Sequence, residues 1–204
     1  MKNIYIIIIL FLSFTIFSCA KKSDTSSSTT ATTTTNTELE GTWQTPCHAV
    51  GSRYRIKTLT VSGTNVTDKW EYDSDSSCAN DSYSYDTTYS SLSIGDEYTD
   101  DGYGSSGGSG HQFTMTIDTN TYTSLSASDL TWVNNNSFCG ENDWVLNTAK
   151  DIAGKTCDGD DFWNTNITIY GLYLLDGNKL FPNLSSSSYP SGVDAEENDT
   201  FTKQ

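Results

Sequence analysis

Positive charge is scarce in this chain. Lys and Arg together number 11 against 26 Asp and Glu, a formal charge of −15. Such a surface repels nucleic acid backbones and anionic lipid headgroups, which excludes DNA and RNA as partners. Past the first 18 residues Leu, Ile and Val are sparse and Ala and Glu are few. Past that point Tyr (11), Phe (5) and Trp (5) carry much of the apolar area instead. Together with abundant Ser, Thr, Asn and Gly, this is the composition of strands and turns rather than of helices. Histidine occurs only twice, at His48 and His111. Two imidazoles hold a metal only with carboxylate help, and the spacing indicates none, so both are read as exposed or hydrogen-bonded side chains. No C-x-x-C pair is present, so a zinc site lacks its usual spacing. The Gly/Ser-rich loop from Gly104 to Gly108 lacks the Gly-Lys-Ser/Thr of a phosphate loop, so nucleotide binding is not expected there.

The longest apolar run, Ile4 to Phe17, follows a single cation, Lys2. It is shorter than the ~20 residues of a bilayer-spanning helix and matches a secretory h-region. Ile16-Phe17-Ser18-Cys19 closes it and resembles the bacterial lipobox: an aliphatic residue, a small residue before the cut, then the obligatory cysteine. The resemblance implies that residues 1–18 are removed, that Cys19 receives a diacylglycerol on its thiol, and that the mature chain is held on a membrane by two or three acyl chains, enough for stable anchoring. Ala20 at the following position leans towards the outer membrane. Removal of Lys2 takes the formal charge to −16. Residues 19–37 are low-complexity, KKSDTSSSTTATTTTNT after Cys19 and Ala20, and form a flexible tether with a span of roughly 20–25 Å. Residues 38–204 remain for one domain.

With Cys19 used for lipid, Cys47, Cys78, Cys139 and Cys157 are left, an even number in an exported chain and the signature of disulfides. Three connectivities are possible. Proximity in sequence favours Cys47–Cys78 with Cys139–Cys157.

Along the domain, period-2 patterns recur. Arg53 to Ser62 is read as a strand with Tyr54 and Ile56 on one face and Leu59 and Val61 on the other, which calls for a bulge or burial on both sides. Ser62-Gly63-Thr64-Asn65 is a hairpin turn. Val66, Trp70 and Tyr72 then share a face that Asp68 interrupts. Residues 73–81 form a polar loop holding Cys78. Tyr83, Tyr85 and Tyr89 alternate, followed by Leu92 and Ile94; residues 95–110 read as a long acidic and Gly/Ser-rich loop. Phe113, Met115 and Ile117 make a strand, with a turn at Asp118-Thr119-Asn120. Leu130 to Val133 and Trp144 to Leu146 are assigned as strands. Asp176-Gly177-Asn178 between two apolar runs is a strong hairpin signal, and Thr200 to Lys203 is a closing strand. The expectation is an all-β, antiparallel fold of about eight to ten strands, closed into a barrel or sandwich so that few edges are exposed.

Leu39-x-Gly41-Thr42-Trp43 opening the domain and the late Tyr173-Leu174-x-Asp176-Gly177-Asn178-Lys179-Leu180 hairpin together resemble the lipocalin-like lipoproteins of bacterial envelopes. Gly41 and Trp43 match the Gly-x-Trp of the lipocalin first strand. The resemblance implies a lipocalin-like barrel whose floor is closed by Trp43.

Other chemistry is weaker. Gly104-Ser105-Ser106-Gly107-Gly108 matches G-x-S-x-G in letters, but it lies in a Gly/Ser run without the strand and helix that the motif requires. Asp73-x-Asp75, Asp96-Glu97 with Asp100-Asp101, and Asp158-Gly159-Asp160-Asp161 lack calcium-loop spacing and read as solvated loop charge. Tyr54, Trp70, Tyr72, Tyr83, Tyr85, Phe113 and Met115 either line a cavity or fill the core themselves, and filling is the expectation because aliphatic residues are so few. No catalytic, cofactor or metal residue emerges. The sequence therefore points to a non-enzymatic, lipid-anchored envelope lipoprotein, assigned to the outer membrane by Ala20, whose lipocalin-like barrel either binds a small apolar ligand or serves structurally; a surface-exposed adhesion or interaction module contacting an envelope or host protein is the alternative.

Overall fold

In a computed structural model, the described residues are 37–100, 108–193 and 199–204. The signal segment, Cys19, the tether up to residue 36 and the Gly104–Gly107 stretch lie outside them. The elements are β1 (Gly41–Gln44), β2 (His48–Val50), β3 (Arg53–Ser62), β4 (Asn65–Asp73), β5 (Asp81–Asp100), β6 (Gly108–Ser124), α1 (Ala127–Asn135), a 3-10 turn (Phe138–Gly140), β7 (Lys150–Asp151), β8 (Thr156–Cys157), β9 (Asp160–Asp161), β10 (Thr168–Asp176), β11 (Lys179–Ser185) and β12 (Phe201–Lys203). All strand pairings are antiparallel. No helix among the described residues is long and apolar enough to cross a membrane.

Hydrogen bonding runs β1-β12-β11-β10-β6-β5-β4-β3 and returns to β1, because β1 pairs with β12 on one side and β3 on the other. Eight strands thus form a ring. Two-residue turns set the register of its hairpins. Gly63 and Thr64 lie between the paired Ser62 and Asn65; Gly177 and Asn178 lie between Asp176 and Lys179. Gly177 has φ +61°, a backbone state that glycine enters without a Cβ penalty.

One hydrophobic cluster lies inside the ring, on Trp43, Val61, Val66, Phe113, Met115 and Phe201 among others. Trp43 is 2 % exposed, and its Nε1–H donates to the Leu39 carbonyl at 2.7 Å. A second cluster, on Tyr122, Val133, Phe138, Trp144 and Ile152, is built by the segment between β6 and β10. The bridge Cys139–Cys157 ties the 3-10 turn to β8 there. Cys47–Cys78 ties the β1–β2 connection to the β4–β5 loop. Both pairs are those that proximity in sequence favours.

Several expected elements differ. Leu130–Val133 is helical, within α1. Ser126 caps it, its hydroxyl accepting from the Asp129 backbone N–H at 3.2 Å. A serine followed three residues later by an acid is a helix-start pattern, and it outweighs the β-branched character of Thr131 and Val133. Residues 144–146 are not a strand; the Asn134 side chain holds both the N–H and the carbonyl of Trp144, satisfying an irregular backbone. Asp118-Thr119-Asn120 is not a turn. β6 runs through it, with Thr88 and Thr119 hydroxyls bonded across the pair at 2.6 Å and Ser90 donating to Asp118 at 2.7 Å. Most of the expected 95–110 loop is hairpin, with pairing out to Asp100↔Gly108. β-pairing uses backbone groups, so a polar strand can extend wherever its partner does.

Candidate ligand cavity

β3 pairs with β4 from Tyr54↔Asp73 to Ser62↔Asn65 without a register shift, so of the two expectations, a bulge or burial on both sides, β3 meets the second: from Arg53 to Leu59 both of its faces are partly buried. Strand alternation then places Arg53, Arg55 and Lys57 on the same face as Leu59 and Val61. That is the inner face. Three of the chain's 11 basic residues are therefore aligned on the inner face of one strand; Arg53 and Lys57 line the interior space itself, and Arg55 lies between them on that face. On β4, Val66, Asp68, Trp70 and Tyr72 face inward. On β5, Tyr83, Tyr85, Thr87 and Tyr89 do.

These strands enclose a cavity of about 1030 Å³. The half nearer the β3–β4 turn is apolar, lined by Leu59, Val61, Val66, Leu92, Phe113 and Met115. The other half is polar and aromatic. Tyr72 stacks on Tyr83 with centroids 4.7 Å apart, and Tyr85 meets both edge-on at 5.8 Å. Phe162 stacks on Tyr85 at 5.2 Å, bringing the β6–β10 segment to the cavity wall. Of the seven aromatic and methionine candidates, six line the cavity; Tyr54 faces outward, opposite Asp73 in register. These six surround a space of about 1030 Å³ rather than filling it.

The charged groups form one connected set. Lys57 Nζ makes an ion pair with Asp199 Oδ1 and lies 4.5 Å from the Trp70 ring centre. Arg55 Nη2 donates to the same oxygen at 3.2 Å and lies 3.3 Å from His48 Nε2; its Nη1 reaches the Tyr72 hydroxyl at 3.4 Å. The guanidinium lies over Trp70, 5.0 Å from its centre. Arg53 donates to the Ser82 hydroxyl at 3.1 Å beside Tyr83. Asp68 accepts the Trp70 Nε1–H on both oxygens, at 2.9 and 3.0 Å. Burial pushes the Asp68 carboxyl up to about 6, although the Trp70 bond and the charges of Lys57 and Arg55 oppose the rise. Burial also works to raise Asp199, but the bond from Lys57 and the two cationic charges outweigh it and hold that carboxyl below its ordinary range. Asp129 accepts the Tyr122 hydroxyl at 2.6 Å and is held above the ordinary range by burial.

The other sequence candidates fall elsewhere. His48 touches Arg55. His111 is on β6, its Nδ1 3.2 Å from the Gly95 carbonyl. The two histidines are not brought together. Asp73 is fully buried and accepts the backbone N–H groups of Asp75 and Asn80, at 3.2 and 2.7 Å, so that Asp73-x-Asp75 closes the β4–β5 loop. Asp158, Asp160 and Asp161 reach the cavity, where the Thr156 hydroxyl donates to Asp161 at 2.6 Å. Among the described residues, no group of three or more His, Cys, Asp or Glu side chains is placed to hold a metal.

Arg53, Lys57, Asp129 and Asp199 were not legible as a site. The available signal was the Arg-x-Arg-x-Lys alternation in phase with Leu59 and Val61; Asp68 was visible only as a break in an apolar face. No protein-family model matches this chain, and a search of curated proteins finds no significant similarity.

Proposed function

We propose that this protein is a bacterial cell-envelope lipoprotein, anchored by lipid on Cys19, that carries a small, largely apolar ligand in a lipocalin-like eight-stranded barrel and has no catalytic role. The cavity of about 1030 Å³ inside the ring carries the reading, since small-molecule sites are typically concave spaces of about 300–1,000 Å³ lined by apolar and aromatic groups with a few placed polar ones. Its apolar half suits an aliphatic or ring-bearing portion of a ligand, and its aromatic half suits stacking. The Gly41-Thr42-Trp43 strand with a buried Trp43 supports the lipocalin-like assignment. Ile16-Phe17-Ser18-Cys19 supports the anchor, and Ala20 supports the outer membrane.

The adhesion or interaction module, the competing reading, calls for a filled interior and an exposed aromatic patch; an open interior favours carriage. Native mass spectrometry of the mature protein extracted from envelopes in mild detergent tests the proposal. The expected spectrum has a covalent acyl mass on a chain starting at Cys19 and a further small-molecule adduct that leaves on collisional activation. A chain without such an adduct, at every activation energy, overturns ligand carriage.

A further inference from the structure

The ion set around Lys57 is incompletely satisfied. Asp199 spends one oxygen, Oδ1, on both cations and touches only Nη2 of Arg55. Arg55 Nε is buried and has no hydrogen-bond partner among the described residues. A carboxylate that lies against the side of a guanidinium normally engages two parallel N–H groups, and an unmade bond at a buried donor is costly. Asp199 is thus a poor fit to the site it occupies. It is also the most exposed of the three groups: its side chain is 28 % exposed, against 12 % for Lys57 and 13 % for Arg55. It comes from the short stretch before the three-residue strand β12, whereas the cations are fixed in the middle of β3. Of the neighbouring titratable groups, Asp68 hydrogen-bonds to Trp70 rather than to either cation, and His48 contacts Arg55 through a ring nitrogen. The apolar half of the cavity begins one inner-face step further along β3 from Lys57, at Leu59.

We propose that Lys57 and Arg55 are an anion subsite of this cavity, that Asp199 occupies it in the empty protein, and that the ligand is an amphiphile whose terminal carboxylate displaces Asp199 while its apolar chain fills the Leu59–Met115 half. The inference rests on the carriage reading and adds the ligand's charge and an internal competitor. Exchange of one carboxylate for another leaves the charge balance of the interior unchanged. The released Asp199 returns to water, and the incoming group has both Arg55 edges available.

Calorimetric titration of the purified mature protein with dodecanoate and, separately, with dodecanol tests this. Dodecanoate should bind about tenfold more tightly than dodecanol, the scale of one charge-assisted hydrogen bond. D199N removes the competing charge and keeps the side chain's shape; it should tighten dodecanoate by about tenfold and leave dodecanol within about twofold. K57M should erase the preference for dodecanoate. If K57M does not fold, as judged by circular dichroism, D199N decides alone. Equal affinity of the two probes, or a D199N protein that binds dodecanoate no better than the parent, overturns the anion subsite while leaving carriage intact. Failure of both probes to bind overturns both.

Discussion

Replacing Asp68 by asparagine removes a carboxylate from the cavity wall and keeps an oxygen for the Trp70 N–H. Burial raises the Asp68 carboxyl from its ordinary 3.8 to about 6. The folded protein therefore holds this proton more tightly than the unfolded chain does. The associated stability is fully present below pH 3.8 and is lost as pH rises through about 6. A rise of that size corresponds to about 3 kcal/mol; because Asp68 is only partly shielded and opens onto the cavity, about 1–3 kcal/mol is expected. In a domain of this size each kcal/mol moves Tm by about 2–4 °C, so D68N should melt roughly 2–10 °C higher than the parent at pH 7.5. The gain should shrink through pH 6 and vanish near pH 4, where the parent's Asp68 is also neutral. Paired melting curves by circular dichroism from pH 4 to 8 measure the difference and cancel the titration of the other carboxylates. A D68N protein less stable than the parent at pH 7.5 refutes the reasoning; it would make Asp68 a stabilising counter-ion for Lys57 and Arg55, with the Coulomb attraction larger than the burial cost.

Removing either disulfide by paired Cys→Ala substitution should cost about 3 kcal/mol in a denaturant titration, because the bridges close loops with sequence separations of 31 and 18 residues; unchanged midpoints contradict this. Gly110→Ala should damage folding more than Gly171→Ala, since a Cβ at Gly110 would lie 1.8 Å from the Tyr173 backbone oxygen, whereas at Gly171 it meets the Phe113 ring, which can swing aside. Soluble yield and Tm of the two variants give the order. Cys19→Ser should move the protein from the detergent phase to the aqueous phase in a cloud-point partition of expressing cells, and retention in the detergent phase speaks against lipid on Cys19.

The β-pattern was readable where side-chain alternation and turn chemistry agree. The Gly63-Thr64 and Gly177-Asn178 turns, the polar loop around Cys78 and the strand of Phe113, Met115 and Ile117 all sit where periodicity places them. The reading went astray where polar strands persist through pairing, as in β6 across Asp118–Asn120, and where a capped helix is short, as in α1 after Ser126. The site was harder to read for a physical reason. Apolar residues mark both faces of β3, Tyr54 and Ile56 on one and Leu59 and Val61 on the other, and the face that points inward carries Arg53, Arg55 and Lys57 along with Leu59 and Val61. The acid that meets Lys57 and Arg55, Asp199, is 142 residues from Lys57 in sequence. No local pattern contains that partnership.

Carriage in the interior of the ring requires that filling that interior abolish binding. Leu59, Asp68 and Thr87 lie in one register row across β3, β4 and β5, at the boundary between the apolar and polar halves. The double variant Leu59→Trp, Thr87→Trp places two indoles into the cavity from that row; Thr60→Trp, Thr88→Trp places them one step along, on the outer face. Fluorescence titration with N-phenyl-1-naphthylamine, a neutral apolar probe, compares them directly. Saturable binding by the parent and the outer-face variant, with affinity at least about tenfold weaker in the inner-face variant, is the predicted result. Binding by a folded inner-face variant as tight as that of the parent would place the probe outside the ring and contradict the account.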